Sequence, residues 1–262
     1  MNHTIMGPVF PMGEVFSRME KMNVDFWGLT TYHRLSYDPM GKCKFGYIPL
    51  HLQSHFIVLR KSLIESQKLH TYWKSMPPVR SYEEAICFHE AIFTKTFADL
   101  GFRWASYVDT SDLTDHNACP LIYTPVRIIR DRHCPIFKRR SFFHDYDDLC
   151  AHSLGDQGRE LMEYLQSETQ YDTELIWENI LRTCNLADIQ RCLCLYHILP
   201  LKYAVGVAKS QRLALVLHLH YEECFAYCRR YALSMPPEAD LYLTTTSREK
   251  QQTLIQLFSD GP

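Results

Sequence analysis

The sequence predicts an α/β protein in three parts: a partial layered domain over residues 1–125, a mostly helical connector over 126–208 and the start of a second α/β unit over 209–262. Three observations lead there. Helical and strand-like periods alternate through the first 125 residues, the pattern of helices layered on a sheet. Helical periodicity with polar faces then runs through residues 142–151, 157–167 and 171–184, after a Pro-rich connection. Last, RLALVLHLHY is a near-continuous apolar run, as expected of a strand buried on both faces, and a helix, a strand and a further helix follow it.

Each element has a local reason. In VFPMGEVFSRMEKM, Val15, Phe16, Met19 and Met22 recur at helical spacing after Pro11. DFWGLTTYH is dense in bulky strand formers, and residues 36–49 are turn-rich. HLQSHFIVL alternates as a strand and leads into a helix at Lys61 or Ser62. Ser81 followed by Glu84 is a capping box opening a helix through AICFHEAIFTKTFADL, which Gly101 stops. Residues 102–108 read as the next strand. In the last part, EECFAYCRRYALSM is a helix closed by Pro236-Pro237, ADLYLTTTS a strand, and SREKQQTLIQLF a final helix. Such a β-α-β-α run is too short for a complete doubly wound sheet.

Composition narrows the function. Apolar residues make up 46% of the 262-residue chain and aromatics 13%, which supplies a core and argues against disorder. A formal charge of -2 leaves no broad basic field for nucleic acid. No apolar run approaches the roughly 20 residues that span a bilayer. Met1-Asn2-His3 lacks the basic start and apolar core of a secretory leader. The ten cysteines lie inside periodic segments and read as buried, reduced thiols of a cytoplasmic protein. Cys192-x-Cys194 and Cys224-x3-Cys228 lack the paired knuckle spacing of structural zinc.

Gly-rich dinucleotide loops, P-loops, nucleophile elbows and two-His zinc helices are all missing from the sequence. Candidate chemistry therefore rests on polar groups at strand ends, where open α/β sheets bind ligands. Asp25 starts the DFWG strand; His51, Gln53, Ser54 and His55 sit where a loop meets a strand. Glu90, between Phe88 and Phe93, reads either as a desolvated general base or as a polar residue on the wet side of its helix beside His89. Trp27 offers a flat ring to a sugar or base, or is plain core. Lys138, Arg139 and Arg140 suit a phosphate or an anionic membrane surface, or form a solvated helix approach. His218 and His220 alternate with leucines on the predicted buried strand, where core histidines are the default reading.

Taken together, NHTIMGPVFPM, DFWGLT, HLQSHFIVLRKS, SYEEAICFHEAIFTKTFADLGF, CPIFKRRSFF, YDTELIWENILRTCNLADI and LALVLHLHYEECFAYCRRYALSMPPEADLYLTT resemble rhamnan synthesis protein F, in the same order over almost the whole chain. That family contains bacterial glycosyltransferases that assemble rhamnose-rich cell-wall polysaccharides. The resemblance implies a GT-A-like N-terminal domain and a Rossmann-like second unit. It implies transfer of a sugar, rhamnose from dTDP-L-rhamnose, to a lipid-linked glycan by a cytoplasmic protein with peripheral contact to the cytoplasmic membrane face. Asn2, His3 and Thr4 resemble the strand end where such transferases carry an acidic metal-binding motif, which places them against the donor. Asn, His and Thr are poor substitutes for carboxylates, so no Mg or Mn site is assigned. Glu90 and Asp25 are then the catalytic pair, as base and donor contact, with Trp27, Gln53, Ser54 and His55 around the sugar or acceptor. Lys138, Arg139 and Arg140 face phosphate or membrane. The chain is expected to be an interior slice of such an enzyme. The alternative is a non-catalytic fragment or accessory binding component of the polysaccharide machinery.

Overall fold

The chain divides into two units, Met1–His197 and Ile198–Pro262, in a computed structural model that describes residues 4–113, 118–196 and 212–259. It is a mixed α/β protein with small sheets, coarser than the GT-A-like and Rossmann-like architectures expected from the resemblance.

In the first unit, strand β1 (Ile5–Met6) precedes helix α1 (Met12–Glu20), which buries Val15 and Met19. The DFWGLTTYH segment breaks into β2 (Phe26–Gly28) and β3 (Thr31–Tyr32). After the turn-rich loop come β4 (His51–Leu52), β5 (Ile57–Leu59), α2 (Lys61–Ile64) and α3 (Gln67–Lys74). The capping box forms: Ser81 Oγ accepts from the Glu84 N–H at 3.2 Å, opening α4 (Tyr82–Ala85). The expected single helix is not regular, however. One π-helical turn, Ile86–Glu90, separates α4 from α5 (Ala91–Asp99). Gly101 takes a φ of 89°, the left-handed stop that glycine permits. Then follow β6 (Trp104–Ser106), α6 (Pro120–Tyr123), α7 (Pro125–Arg132) and β7 (Phe137–Lys138). Helices α8 (Tyr146–His152), α9 (Gln157–Glu168), α10 (Glu174–Thr183) and α11 (Leu186–Cys192) complete the unit.

The sheets are small. β2 is central, antiparallel to β5 and parallel to β6 in the register Phe26–Trp104 to Gly28–Ser106. β1 pairs with β7, and β3 with β4. Helices supply most of the cover. Phe26, Leu52, Leu63, Phe93 and Phe97 form one core, while Phe137 and Phe142 pack with Leu161, Leu165, Ile176 and Ile180 in another. That second core also holds Met6, Val9 and Phe10, so the helices expected as a connector and the start of the chain share one interior.

The second unit pairs β8 (Ala214–His218) in parallel with β9 (Asp240–Thr244), with α12 (Phe225–Ala232) and α13 (Arg248–Ser259). The reading of RLALVLHLHY as buried on both faces is corrected here. Leu217, Leu219 and Leu243 pack with Phe225 and Leu254, but the alternate face is open and Val216 is 65% exposed. Strand alternation sends every second residue away from a helix layer that covers one side. His218 and His220 are accordingly exposed rather than core, bonded to Thr244 Oγ1 (3.0 Å) and Thr246 Oγ1 (3.1 Å).

Close packing of α9 depends on a glycine. A Cβ on Gly158 would lie 2.6 Å from the carbonyl oxygens of both Ser141 and Cys192. Gly158→Ala is therefore expected to destabilise the unit by about 1–3 kcal/mol, read as a lowered midpoint in thermal or urea unfolding.

Candidate functional site

The sheet ends its parallel pair β2–β6 at Gly28 and Ser106, and the residues just beyond are polar and buried: Thr30, Thr31 and Thr110, with His33, His51, Gln53 and His55 around them. Burial requires that each polar group find a partner, and here the partners form a directed chain. Lys138 Nζ lies 3.2 Å from His55 Nδ1, and His55 Nε2 lies 3.1 Å from Thr30 Oγ1. Thr30 donates to Gln53 Oε1 at 2.7 Å, and Gln53 Nε2 points to Cys119 Sγ at 3.5 Å. An ammonium can only donate, so His55 Nδ1 must accept. The ring proton then sits on Nε2 and is donated to Thr30, which passes its own hydroxyl proton on to Gln53. Burial holds the pKa of His55 well below the ordinary 6.5, and the Lys138 charge adds to the effect, so the ring is neutral as this assignment requires.

A second set of contacts flanks the chain. Thr31 Oγ1 and His33 Nε2 both reach Thr110 Oγ1, at 3.1 and 2.9 Å. His51 donates from Nδ1 to the Pro49 carbonyl at 2.7 Å, and its ring stacks on Tyr32 at 5.3 Å. Burial lowers the His51 pKa, against a weaker opposing pull from Glu90. Glu90 leaves the π-helical turn half-buried, and Ser54 Oγ, exposed, donates to its Oε2. π-turns recur at functional sites because the extra residue re-aims the side chains around it.

The structure thus brings together Gln53, Ser54, His55, Glu90 and Lys138. The start of the chain joins them: Ile5 is in register with Lys138, and the Thr4 carbonyl accepts from the Arg139 N–H at 3.1 Å. Asn2 and His3 lie outside the described residues. The basic triplet does not act as a unit. Lys138 serves His55, Arg139 reaches Asn179 Oδ1 at 3.4 Å and covers the Phe143 ring, and Arg140 is exposed. Trp27 is 2% exposed between Phe16 and Phe56, as core. Asp25 stands apart, at the N-terminal end of β2. It accepts from Ser62 Oγ (2.6 Å) and the Arg103 N–H (2.7 Å), and the Ser62 bond first, then Arg103, holds its carboxyl below the usual range. The whole of β2 and the bend at Leu29 separate it from Thr30.

Sequence reasoning did not single out Thr30, Thr31, His33, Thr110 or Cys119. The available signal was the Thr30-Thr31 pair directly after an apolar strand, a weak one because threonine is a common strand residue. The donor set does not suit Mg or Mn. Hydroxyls, an amide and a neutral imidazole beside an ammonium lack the carboxylates such ions need, and among the described residues no three His, Cys, Asp or Glu are arranged so that they could hold a metal ion. Among the described residues, no helix is long and apolar enough to cross a membrane.

The buried imidazoles couple stability to pH. The unfolded chain protonates His55 at about its ordinary 6.5, while the folded protein keeps it neutral. Below that pH the unfolded state binds the extra proton, so stability rises with pH through this window and is lost as pH falls from 7 to 5. Urea unfolding across that range is expected to show this slope, and His55→Gln to flatten it.

Among curated proteins and solved structures no chain matches significantly. The family model of rhamnan synthesis protein F, in contrast, matches residues 1–260. With a match running essentially from end to end, the chain belongs to the rhamnan synthesis protein F family.

Proposed function

We propose that the protein is a glycosyltransferase of rhamnan synthesis that moves a sugar, rhamnose from dTDP-L-rhamnose, onto a lipid-linked glycan at the cytoplasmic membrane face. The observation that carries this reading is that one turn beyond the strand end holds both a half-buried ammonium, Lys138 on His55, and a half-buried carboxylate, Glu90 on Ser54. Family membership implies the pathway, and the site offers the two charges that such a transfer uses.

In an inverting displacement the acceptor hydroxyl attacks the anomeric carbon, the bond to the nucleoside diphosphate breaks, and the hydroxyl proton goes to a base. Glu90 is that base: its carboxylate is oriented by the Ser54 hydroxyl and lies at the surface, where an acceptor can reach it. Lys138 faces the departing diphosphate, and its ammonium offsets charge that grows as the bond breaks. Because His55 is neutral, it anchors Lys138 by accepting a hydrogen bond without competing for the anion. Gln53 and Thr30, buried in the same chain of bonds, hold His55 and through it Lys138 in place. Thr4 and Arg139, joined through the backbone, border the donor side. No step passes through a metal.

Transfer of radiolabelled rhamnose from its nucleotide tests these roles. Glu90→Gln is expected to lower kcat by about 10²–10⁴-fold, with the fold unchanged by circular dichroism. Lys138→Ala is expected to weaken use of the donor by about 10–100-fold in kcat/KM. Full turnover by both variants would remove this site from the reaction. Asp25→Ala serves as the contrast: it is expected to lose about 2 kcal/mol of stability at pH 7 through its two charge-assisted bonds, with turnover per folded molecule retained.

A further inference from the structure

From α3 to the Ser81 cap the first unit carries a stretch rich in cations and free of acids. Residues 66–80 hold Lys68, Lys74 and Arg80 and no carboxylate, in a chain whose formal charge is -2. All three are exposed. The flanking carboxylates are each met by another lysine: Glu65 by Lys61 at 3.6 Å, and Glu83 and Glu84 by Lys42 at 3.9 and 4.0 Å. The field of the three cations is therefore open to a partner from outside.

The same surface is apolar in part. Ser66 caps α3 by accepting the Leu69 N–H at 3.2 Å, and the helix turns Leu69 and Tyr72 inward, the Tyr72 ring meeting Phe93 and Phe97. His70, Trp73 and Lys74 stand at i, i+3 and i+4 and share one flank. The Trp73 ring lies edge-on to Tyr72 at 5.7 Å and is still 52% exposed. Among the described residues it is the only exposed tryptophan of four. Pro77, Pro78 and Val79 beyond it are exposed as well, and the two fixed proline rings leave little freedom to lose on docking. An indole beside ammonium and guanidinium groups fits the headgroup layer of a bilayer, where the ring settles at the interface and the cations meet lipid phosphates. A nucleic acid uses the cations but leaves Val79 and the prolines in water, and an apolar protein groove strips the cations of water without pairing them.

From these features we infer that α3 and the turn after it dock the protein on an anionic lipid bilayer, with Trp73 in the headgroup layer and Lys74 and Arg80 on lipid phosphates. This surface is separate from the basic triplet at 138–140. The inference rests on the proposed function only for what docking serves: Arg80 precedes the Ser81 cap, and the helix opened there carries Glu90 about two turns on, so docking and the proposed base share one stretch of chain.

Co-sedimentation of the full chain with phosphatidylcholine vesicles, with and without phosphatidylglycerol, tests the inference, with tryptophan emission read in parallel. Wild type is expected to bind the anionic vesicles but not the neutral ones, to bind less as salt screens the charges, and to shift its emission to the blue as Trp73 leaves water. Lys74→Ala and Arg80→Ala are each expected to bind about fivefold more weakly with an unchanged melting temperature, and Trp73→Ala to lose the emission shift. Arg140→Ala removes an exposed charge elsewhere and is expected to bind as wild type does. No binding by wild type, equal binding to neutral vesicles, an emission shift kept by Trp73→Ala, or equal weakening by Arg140→Ala and Lys74→Ala would each overturn the inference. So would preference for soluble heparin over vesicles, which would give the surface to a polyanion. The two readings fail separately: Glu90→Gln is expected to bind vesicles as wild type does whether or not it lowers transfer, and a chain that ignores vesicles leaves transfer to a water-soluble acceptor as the test of Glu90 and Lys138.

Discussion

The first unit is organised around the hydrogen-bonded run from Lys138 through His55, Thr30 and Gln53 to Cys119. It ties together four segments that are remote in sequence: the end of β7, the turn between β4 and β5, the link from β2 to β3 and the cap of α6. Inside a protein a half-satisfied polar network is worse than an apolar core, so each member constrains the next. The direction of donation is forced at one end by the ammonium and leaves a single arrangement of protons. That is why the strand end can be polar and buried at once, and why the histidine is neutral.

A constraint of this kind matters because the sheets are too small to fix the geometry themselves. β2 has two partners and three residues of pairing with each. The rest of its position comes from side chains. Phe26 packs on Phe93 and Phe97, Thr94 Oγ1 receives the Leu52 N–H at 2.9 Å, and Asp25 clasps Ser62 and Arg103 at the other end. The carboxylate Asp25 thus works for the fold at the strand's start, and the polar cluster gathers at its finish. In the second unit the same shortage of strands leaves one face of β8 and β9 open, so a run that reads as doubly buried is covered on one side only.

What the sequence made legible was local. The Ser81 capping box, the stop at Gly101, the helical stripe of α1 and the strand-helix-strand-helix order at the end all depend on neighbours within a few residues, and all are present. Gln53, Ser54, His55 and Glu90 were reached by asking what lies at strand ends. The partnership of His55 with Lys138 spans 83 residues, and no period or motif announces it. The π-turn before Glu90 is equally silent, because ICFHE is ordinary helix-forming sequence. The opposite faces of β8 failed for a related reason: apolar content reports that a strand prefers burial, not how many layers are there to bury it.

Two prolines frame the short helix on which the hydrogen-bonded chain ends. Pro120 opens α6 and Pro125 opens α7, each in the first turn, where its fixed φ suits the helix and its missing N–H costs nothing. With both ends of the four-residue helix framed in this way, Cys119 and Tyr123 keep a fixed separation. Thr124 adds a clamp by donating its hydroxyl to the Pro120 carbonyl at 3.0 Å. The Cys119 end of the hydrogen-bonded chain is therefore set by local backbone geometry rather than by closure of a loop. On this view the fold orders its polar cluster through rigidity: the buried chain of bonds fixes where the positive charge stands, and the proline-framed turn fixes the far end on which that chain closes.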